Sequence, residues 1–160
     1  MRVAVLSMLL MSGFWIQAPV RPDFSGKWRL DAEHSTQTSS GPAAMFGSSF
    51  VAKQDAKMLT LDILFPGGTI KAVYNLDGSD SRNAMPGPNG EETIVSRVTW
   101  EGVKLIIVTK STDELNGKTV PMETRRVMSL GVDDDTLTLE RSGTPIELVP
   151  HTTSIYRRIK

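Results

Sequence analysis

The chain has 160 residues, and its 18 Lys and Arg balance 18 Asp and Glu, so the formal net charge at pH 7 is zero. A chain without net charge presents no strong field to nucleic acid or to an anionic membrane surface, and we expect neither as a partner. The sequence contains no cysteine, which excludes disulfides, thiolate catalysis, thiolate metal ligands and a lipid-modified cysteine. This length is typical of one domain with a sizeable core.

The first residues have the features of an export signal. An almost entirely apolar run, Val3–Ile16, follows a positive start, is short for a membrane span and is not followed directly by a positive stop. We predict a signal peptide over residues 1–18, cleaved after Ala18 or, alternatively, near Gly13, and a mature domain over residues 19–160. The other interpretation of this segment is a buried N-terminal helix. We expect an exported protein, periplasmic or extracellular, with no membrane span in its mature form.

The mature domain opens with an alternating stretch at residues 24–30. Phe24, Gly26, Trp28 and Leu30 fall on one face of a strand, and polar or charged residues fall on the other. A glycine two residues before a tryptophan, at the start of a mature domain, indicates an opening strand whose ring plugs one end of a barrel.

Alternation of apolar and polar residues continues along the rest of the chain, in segments separated by turn signals such as Asp77-Gly78 and Asn116-Gly117. Two long connections, at residues 32–48 and from Asp77 to about Glu92, interrupt it. The further predicted strands are 49–54, 58–65, 69–76, 93–100, 103–112, 118–130, 136–141 and 151–159. About nine sequential strands without a long crossover favour an all-β fold, an antiparallel up-and-down barrel of about eight to ten strands, over a Greek-key sandwich.

The predicted inner face of this barrel is not uniformly apolar. Several polar residues share the parity of the hydrophobic ones: Tyr74, Ser96, Thr109, Thr124, Arg126, Thr153 and Arg157. One member of the pair Arg125-Arg126 must point inward on a strand, and parity favours Arg126. A buried arginine needs carboxylates or carbonyls around it, so Arg126 would pair with a ligand carboxylate or an internal acid, or would lie against Trp28.

Five segments in this order resemble the lipocalin-like domain of small exported bacterial proteins, a group within the calycin superfamily. They are FSGKWRLD at residues 24–31, YNLDG at 74–78, WEGVKL at 100–105, DTLTL at 135–139 and YRR at 156–158. The resemblance covers nearly all of residues 23–160 and implies a lipocalin-like barrel with Gly26 and Trp28 at its closed end. It also implies an arginine of the last strand packed across Trp28, a structural role that we assign to Arg157, with Arg158 as the alternative.

Our leading hypothesis is a binding protein for a small, largely hydrophobic molecule. An eight-stranded barrel can hold one small ligand, and an apolar pocket with a few polar groups is typical of such a site. The predicted lining is Leu61, Ile63, Tyr74, Ser96, Val98, Ile107, Thr124 and Arg126. We expect Arg126 or Tyr74 to orient a polar head group, and Met45 and Phe46 in the first long connection to form a lid over the mouth.

Two other functions stay open: a calycin-like barrel enzyme of the isomerase or hydrolase kind, and a filled barrel whose loops contact a partner. The sequence has no Gly-x-Ser-x-Gly element, and we interpret its two histidines, His34 and His151, as surface residues and not as metal or haem ligands. The acidic run at residues 133–135 lacks the spacing of a calcium loop and is interpreted as a solvated turn. We expect no catalytic residue, metal or cofactor, and a monomer or weak dimer.

Overall fold

The computed structural model of the chain describes residues 20–36, 46–65, 67–87 and 90–160. These residues form ten strands and a short 3-10 helix at Ala32–His34. The strands are β1 (Gly26–Leu30), β2 (Ser49–Gln54), β3 (Met58–Phe65), β4 (Gly68–Asn75), β5 (Asp80–Gly87), β6 (Gly90–Glu101), β7 (Lys104–Leu115), β8 (Lys118–Leu130), β9 (Thr136–Thr144) and β10 (Thr152–Ile159). The predicted signal peptide, residues 1–18, lies outside the described residues. In the described part, no helix is long and apolar enough to span a membrane.

All ten strands belong to one antiparallel sheet in the order β4-β3-β2-β1-β10-β9-β8-β7-β6-β5. Every pair of strands that is consecutive in the chain is adjacent in this sheet except β4 and β5, which are its two ends, and β1 pairs with both β2 and β10. Side chains bridge the two ends, so the sheet curls into a nearly closed barrel. The prediction of an all-β antiparallel up-and-down barrel is confirmed.

The two ends of the sheet are joined by side chains in place of a strand ladder. The Val73 amide donates to Asn83 Oδ1 at 2.6 Å, and Asn83 Nδ2 donates to the Val73 carbonyl oxygen at 3.0 Å. The Asn75 amide donates to Ser81 Oγ at 2.8 Å. We call these four residues the β4–β5 seam. Further along the same strands lies a groove of about 480 Å³, lined by Thr69–Lys71, Ala84, Pro86, Gly90 and Glu91.

Strand β5 occupies a segment that the sequence analysis predicted as part of a long loop. Its residues include Asn83, Pro86 and Gly87, which are typical of turns, but it pairs with β6 along its whole length, from Asp80 opposite Arg97 to Gly87 opposite Gly90. Pairing with the long strand β6 therefore overrides the preference of these residues for turns. A proline is tolerated there because β5 is the end strand of the sheet.

Aromatic residues fill one part of the barrel. The rings of Trp28 and Phe50 stack with their centroids 6.5 Å apart. Phe50 also meets Phe46 and Tyr156 edge-on, at 5.4 and 5.1 Å. All four side chains are buried, and the Tyr156 hydroxyl donates to the carbonyl oxygen of Gly47 at 3.1 Å. This cluster ties β1, β2 and β10 to the connection that precedes β2.

The guanidinium that covers Trp28 is that of Arg158, which corrects our preference for Arg157. In β10 the residues that face the interior are Ser154 and Tyr156, so Arg158 shares their parity, while Thr153 and Arg157 face outward. Thr153 and Arg157 were predicted on the inner face, and the structure reverses this parity. Gly26 is suited to its place because a Cβ there would meet the Arg158 guanidinium.

Candidate functional site

The structure brings all eight predicted lining residues to buried positions on inner faces. Leu61, Ile63, Tyr74, Val98 and Ile107 belong to the hydrophobic core cluster. Ser96, Thr124 and Arg126 are also buried, on β6 and β8. The interior therefore combines apolar side chains from β3, β4, β6 and β7 with a polar group contributed mainly by β6 and β8.

Four hydroxyl residues form a continuous row across neighbouring strands. Ser81, Ser96, Thr109 and Thr124 lie directly opposite one another from β5 to β8, and each side chain is at most 5% exposed. Ser96 Oγ and Thr109 Oγ1 are 2.8 Å apart and share a hydrogen bond. We call these residues the hydroxyl row. The row begins at the β4–β5 seam, where Ser81 Oγ accepts a hydrogen bond from the Asn75 amide. It ends beside Arg126.

Arg126 lies inside the barrel beside the hydroxyl row. Its side chain is 2% exposed, and Nη1 donates to Thr109 Oγ1 at 3.3 Å. Burial lowers the pKa of Arg126 to about 10; the nearby Tyr74 opposes this shift and the nearby Arg141 adds to it. The guanidinium therefore stays protonated at neutral pH. Burial also raises the pKa of the Tyr74 phenol, which stays neutral there.

Arg141 is a second inner arginine that the sequence analysis missed. It lies directly opposite Arg126 in the β8–β9 ladder. Its Nε and Nη1 atoms are buried and, within the described part of the chain, have no hydrogen-bond partner. Burial lowers its pKa as well. The parity of Leu137 and Leu139, both buried on β9, was the signal that could have placed Arg141 inward.

These two residues, which we call the arginine pair, set the chemistry of the site. Two neighbouring cations in a partly desolvated interior repel each other, and each loses favourable hydration. An anion bound between them would offset both effects, and the hydroxyl row would add uncharged donors. The site is therefore suited to the anionic end of a ligand whose remainder is apolar.

Neither histidine is placed to act as a base for the inner hydroxyls. His34 Nδ1 lies 2.9 Å from the Asp31 carboxylate on the outer surface, where Arg157 Nε also donates to Asp31 at 3.0 Å. His34 and Arg157 together lower the pKa of Asp31. His151 is exposed at the start of the last strand segment. Arg157 thus has an outer-surface role, an ion pair with Asp31.

Two apolar side chains fold inward from connections. Val149, between β9 and β10, is fully buried, and a Cβ at Gly143 would approach its Cγ1 to 2.7 Å. Phe46, one of the two predicted lid residues, is fully buried against Phe50. Met45, the other one, lies outside the described residues, so the lid stays a prediction.

A solved structure of similar fold is lipid binding protein 8 (LBP-8) of Caenorhabditis elegans in its apo form. The two chains share 14% sequence identity and superpose with a TM-score of 0.57, over 85% of this chain and 95% of that one. At this identity the likeness shows the fold alone. No protein-family model and no curated protein sequence matches the chain.

Proposed function

We propose that this protein binds a small, largely hydrophobic ligand inside its barrel, with the polar end of the ligand at Arg126, and that it is not a catalyst. The observation that carries the proposal is the arginine itself, 2% exposed among apolar side chains and bonded to Thr109 of the hydroxyl row. Desolvation of a charged group is costly, and the anionic end of an amphiphile would interact favourably with this guanidinium while its apolar body packs among the surrounding apolar side chains.

The fold supports this proposal in a general way. LBP-8, the similar structure described above, is by its name a lipid-binding protein. A ligand chain in the barrel gains about 0.8 kcal/mol for each methylene removed from water, so the apolar body provides most of the affinity. The polar contact at Arg126 then fixes which end of the ligand lies inside, and Tyr74 faces it from β4.

We further propose that the protein acts outside the cytoplasm and belongs with the lipocalin-like exported bacterial proteins that its five segments resemble. The support is the N-terminal apolar run, Val3–Ile16, after a positive start. In this proposal residues 1–18 are removed, and the domain over residues 19–160 functions as a monomer or weak dimer.

The test is native mass spectrometry of the mature protein purified from its own host, beside the same protein denatured. We expect a mass excess in the native spectrum that disappears on denaturation and identifies the bound molecule. A thermal-shift panel of lipids and hydrophobic metabolites should stabilise the protein by mass action. An apo mass together with no shift across the panel contradicts a carrier, and would favour a filled barrel whose loops contact a partner.

A further inference from the structure

The arginine pair places two positive charges next to each other on one inner face. Arg126 and Arg141 are opposite partners in the β8–β9 ladder, so their side chains leave neighbouring strands in the same direction. The inner residues adjoining them along the strands and across the ladders are not acidic: Ile107, Thr124, Met128, Leu139, Gly143 and Thr152. The adjoining inner residues therefore contribute no carboxylate to this face, which carries the two arginine side chains.

The arginine pair and the residues around it offer more hydrogen-bond donors than a small acceptor group with two oxygens can use. Arg141 has buried Nε and Nη1 atoms without a hydrogen-bond partner in the described residues. Thr109 and Thr124 of the hydroxyl row, both buried, lie one inner position further along β7 and β8. A guanidinium binds two oxygens at once, and a hydroxyl can donate to a third.

Two kinds of anionic head group fit an arginine, and they differ in charge and in oxygen count. A carboxylate carries one charge and two oxygens, which is the charge and the number of acceptors that a single guanidinium binds. A phosphate monoester carries a charge of about −1.5 to −2 at pH 7 and three acceptor oxygens. We propose that the head group of the ligand is a phosphate monoester held between Arg126 and Arg141, with hydroxyls of the hydroxyl row as further donors. This inference rests on the proposed function.

The experiment measures binding of four probes by isothermal titration calorimetry at pH 7.5, each amphiphile below its aggregation concentration. The probes are dodecyl phosphate, dodecanoate, dodecanol and inorganic phosphate. We expect dodecyl phosphate to bind at least ten-fold more tightly than dodecanoate, and dodecanoate more tightly than dodecanol. Inorganic phosphate should bind weakest because it lacks the apolar body.

The variant Arg141→Gln should remove this preference. We expect it to weaken dodecyl phosphate at least ten-fold and to change dodecanol less than two-fold. Arg125→Gln is the matched control, because Arg125 precedes Arg126 on the same strand but faces outward and pairs with Glu101 at 3.1 Å. If the glutamine variant does not fold, Arg141→Lys keeps the charge and should keep most of the preference for the dianion.

The pH dependence of binding is a further measurement, and an arginine with a purely structural role would not affect it. The second pKa of a phosphate monoester is about 6, so the dianion fraction falls about ten-fold between pH 7.5 and pH 5. Affinity for dodecyl phosphate should fall in parallel, while that for dodecanol stays constant.

Each other outcome is decisive. Dodecanoate as tight as dodecyl phosphate, or an unaltered preference in a folded Arg141→Gln variant, overturns the phosphate assignment and leaves the proposed function standing. Inorganic phosphate as tight as dodecyl phosphate overturns the apolar part of the proposed function. If none of the four probes binds, both the phosphate assignment and the proposed function are contradicted.

Discussion

The guanidinium carbon of Arg158 lies 4.4 Å from the centroid of the Trp28 ring. The same side chain donates hydrogen bonds to the carbonyl oxygens of Ser25 and Asp134, the latter at 2.9 Å. One residue near the end of the chain thus connects the first strand, the last strand and the turn between β8 and β9. Cation–π and charge-assisted hydrogen bonds are both strengthened by partial burial, so this contact should matter for stability.

Replacing Arg158 by Gln should lower the free energy of unfolding by about 2–3 kcal/mol, because it removes the cation–π contact and two hydrogen bonds from a charged donor. Urea denaturation followed by tryptophan fluorescence measures the change. Arg157→Gln is the matched control. The Arg157 side chain is half exposed, so we expect the urea midpoint of this variant to change little. Equal losses in the two variants would contradict the role given to Arg158.

Replacing Gly143 by Ala should destabilise the barrel by about 1–3 kcal/mol, the usual range for overpacking. The added methyl would lie 2.7 and 2.9 Å from two carbons of Val149 and would also approach the Glu123 carbonyl oxygen. Thermal unfolding by circular dichroism gives the measurement. Gly67→Ala serves as control because nothing lies within 4 Å of that position. The double variant Gly143→Ala/Val149→Ala should recover only part of the loss from overpacking, since the contact with the backbone oxygen persists.

Replacing Asn83 by Leu should loosen the β4–β5 seam. The variant leaves the Val73 amide and carbonyl groups without their partners, which costs about 1–3 kcal/mol for each buried group. We expect amide hydrogen exchange at Val73 to accelerate at least ten-fold while amides of β8 keep their protection. Asn75→Ala, which removes only an exposed hydrogen bond to the Asp80 carbonyl oxygen, is the control. Unchanged exchange at Val73 would mean that the amide does not close the barrel.

Alkaline pH should unfold the protein through its tyrosines. The chain has two, Tyr74 and Tyr156, and burial raises the pKa of each above its usual value of 10. Below pH 10 both tyrosines are neutral in the folded and the unfolded chain. Above pH 10 only the unfolded chain ionises, so the free energy of unfolding falls by about 1.4 kcal/mol per pH unit for each tyrosine. Absorbance at 295 nm should therefore show no ionisation until circular dichroism reports unfolding. Tyrosinate formation at pH 10 in a chain that is still folded would contradict the raised pKa of the two tyrosines.

Residue patterning was sufficient to predict the barrel and most of its strands. Alternation at Met58–Phe65 and Lys118–Leu130 placed both strands with their observed bounds. These segments bury one face each, so their period of two appears directly in the sequence. Strand β5 could not be found that way, because Asn83 and Pro86 are common in turns and the strand depends on its partner β6.

The candidate site was predictable only in part. Arg126 and its apolar neighbours follow from parity, but pairing Arg126 with Arg141 requires the β8–β9 register, which a sequence does not state. The same limit explains the exchange of Arg157 for Arg158. In β10, isoleucines lie on the outer face and an arginine on the inner one, because the interior there holds the Trp28 ring.

The β4–β5 seam has a consequence for how copies of this protein meet. Wherever strands pair, a barrel has no free edge, but here one carboxamide, that of Asn83, substitutes for a length of ladder. If the Asn83 and Ser81 side chains were lost, two strand edges would be exposed at the same time, each a template for pairing with another molecule. The tendency of this protein to exchange strands or to aggregate therefore depends on the few uncharged side chains of the β4–β5 seam more than on its overall charge or hydrophobicity.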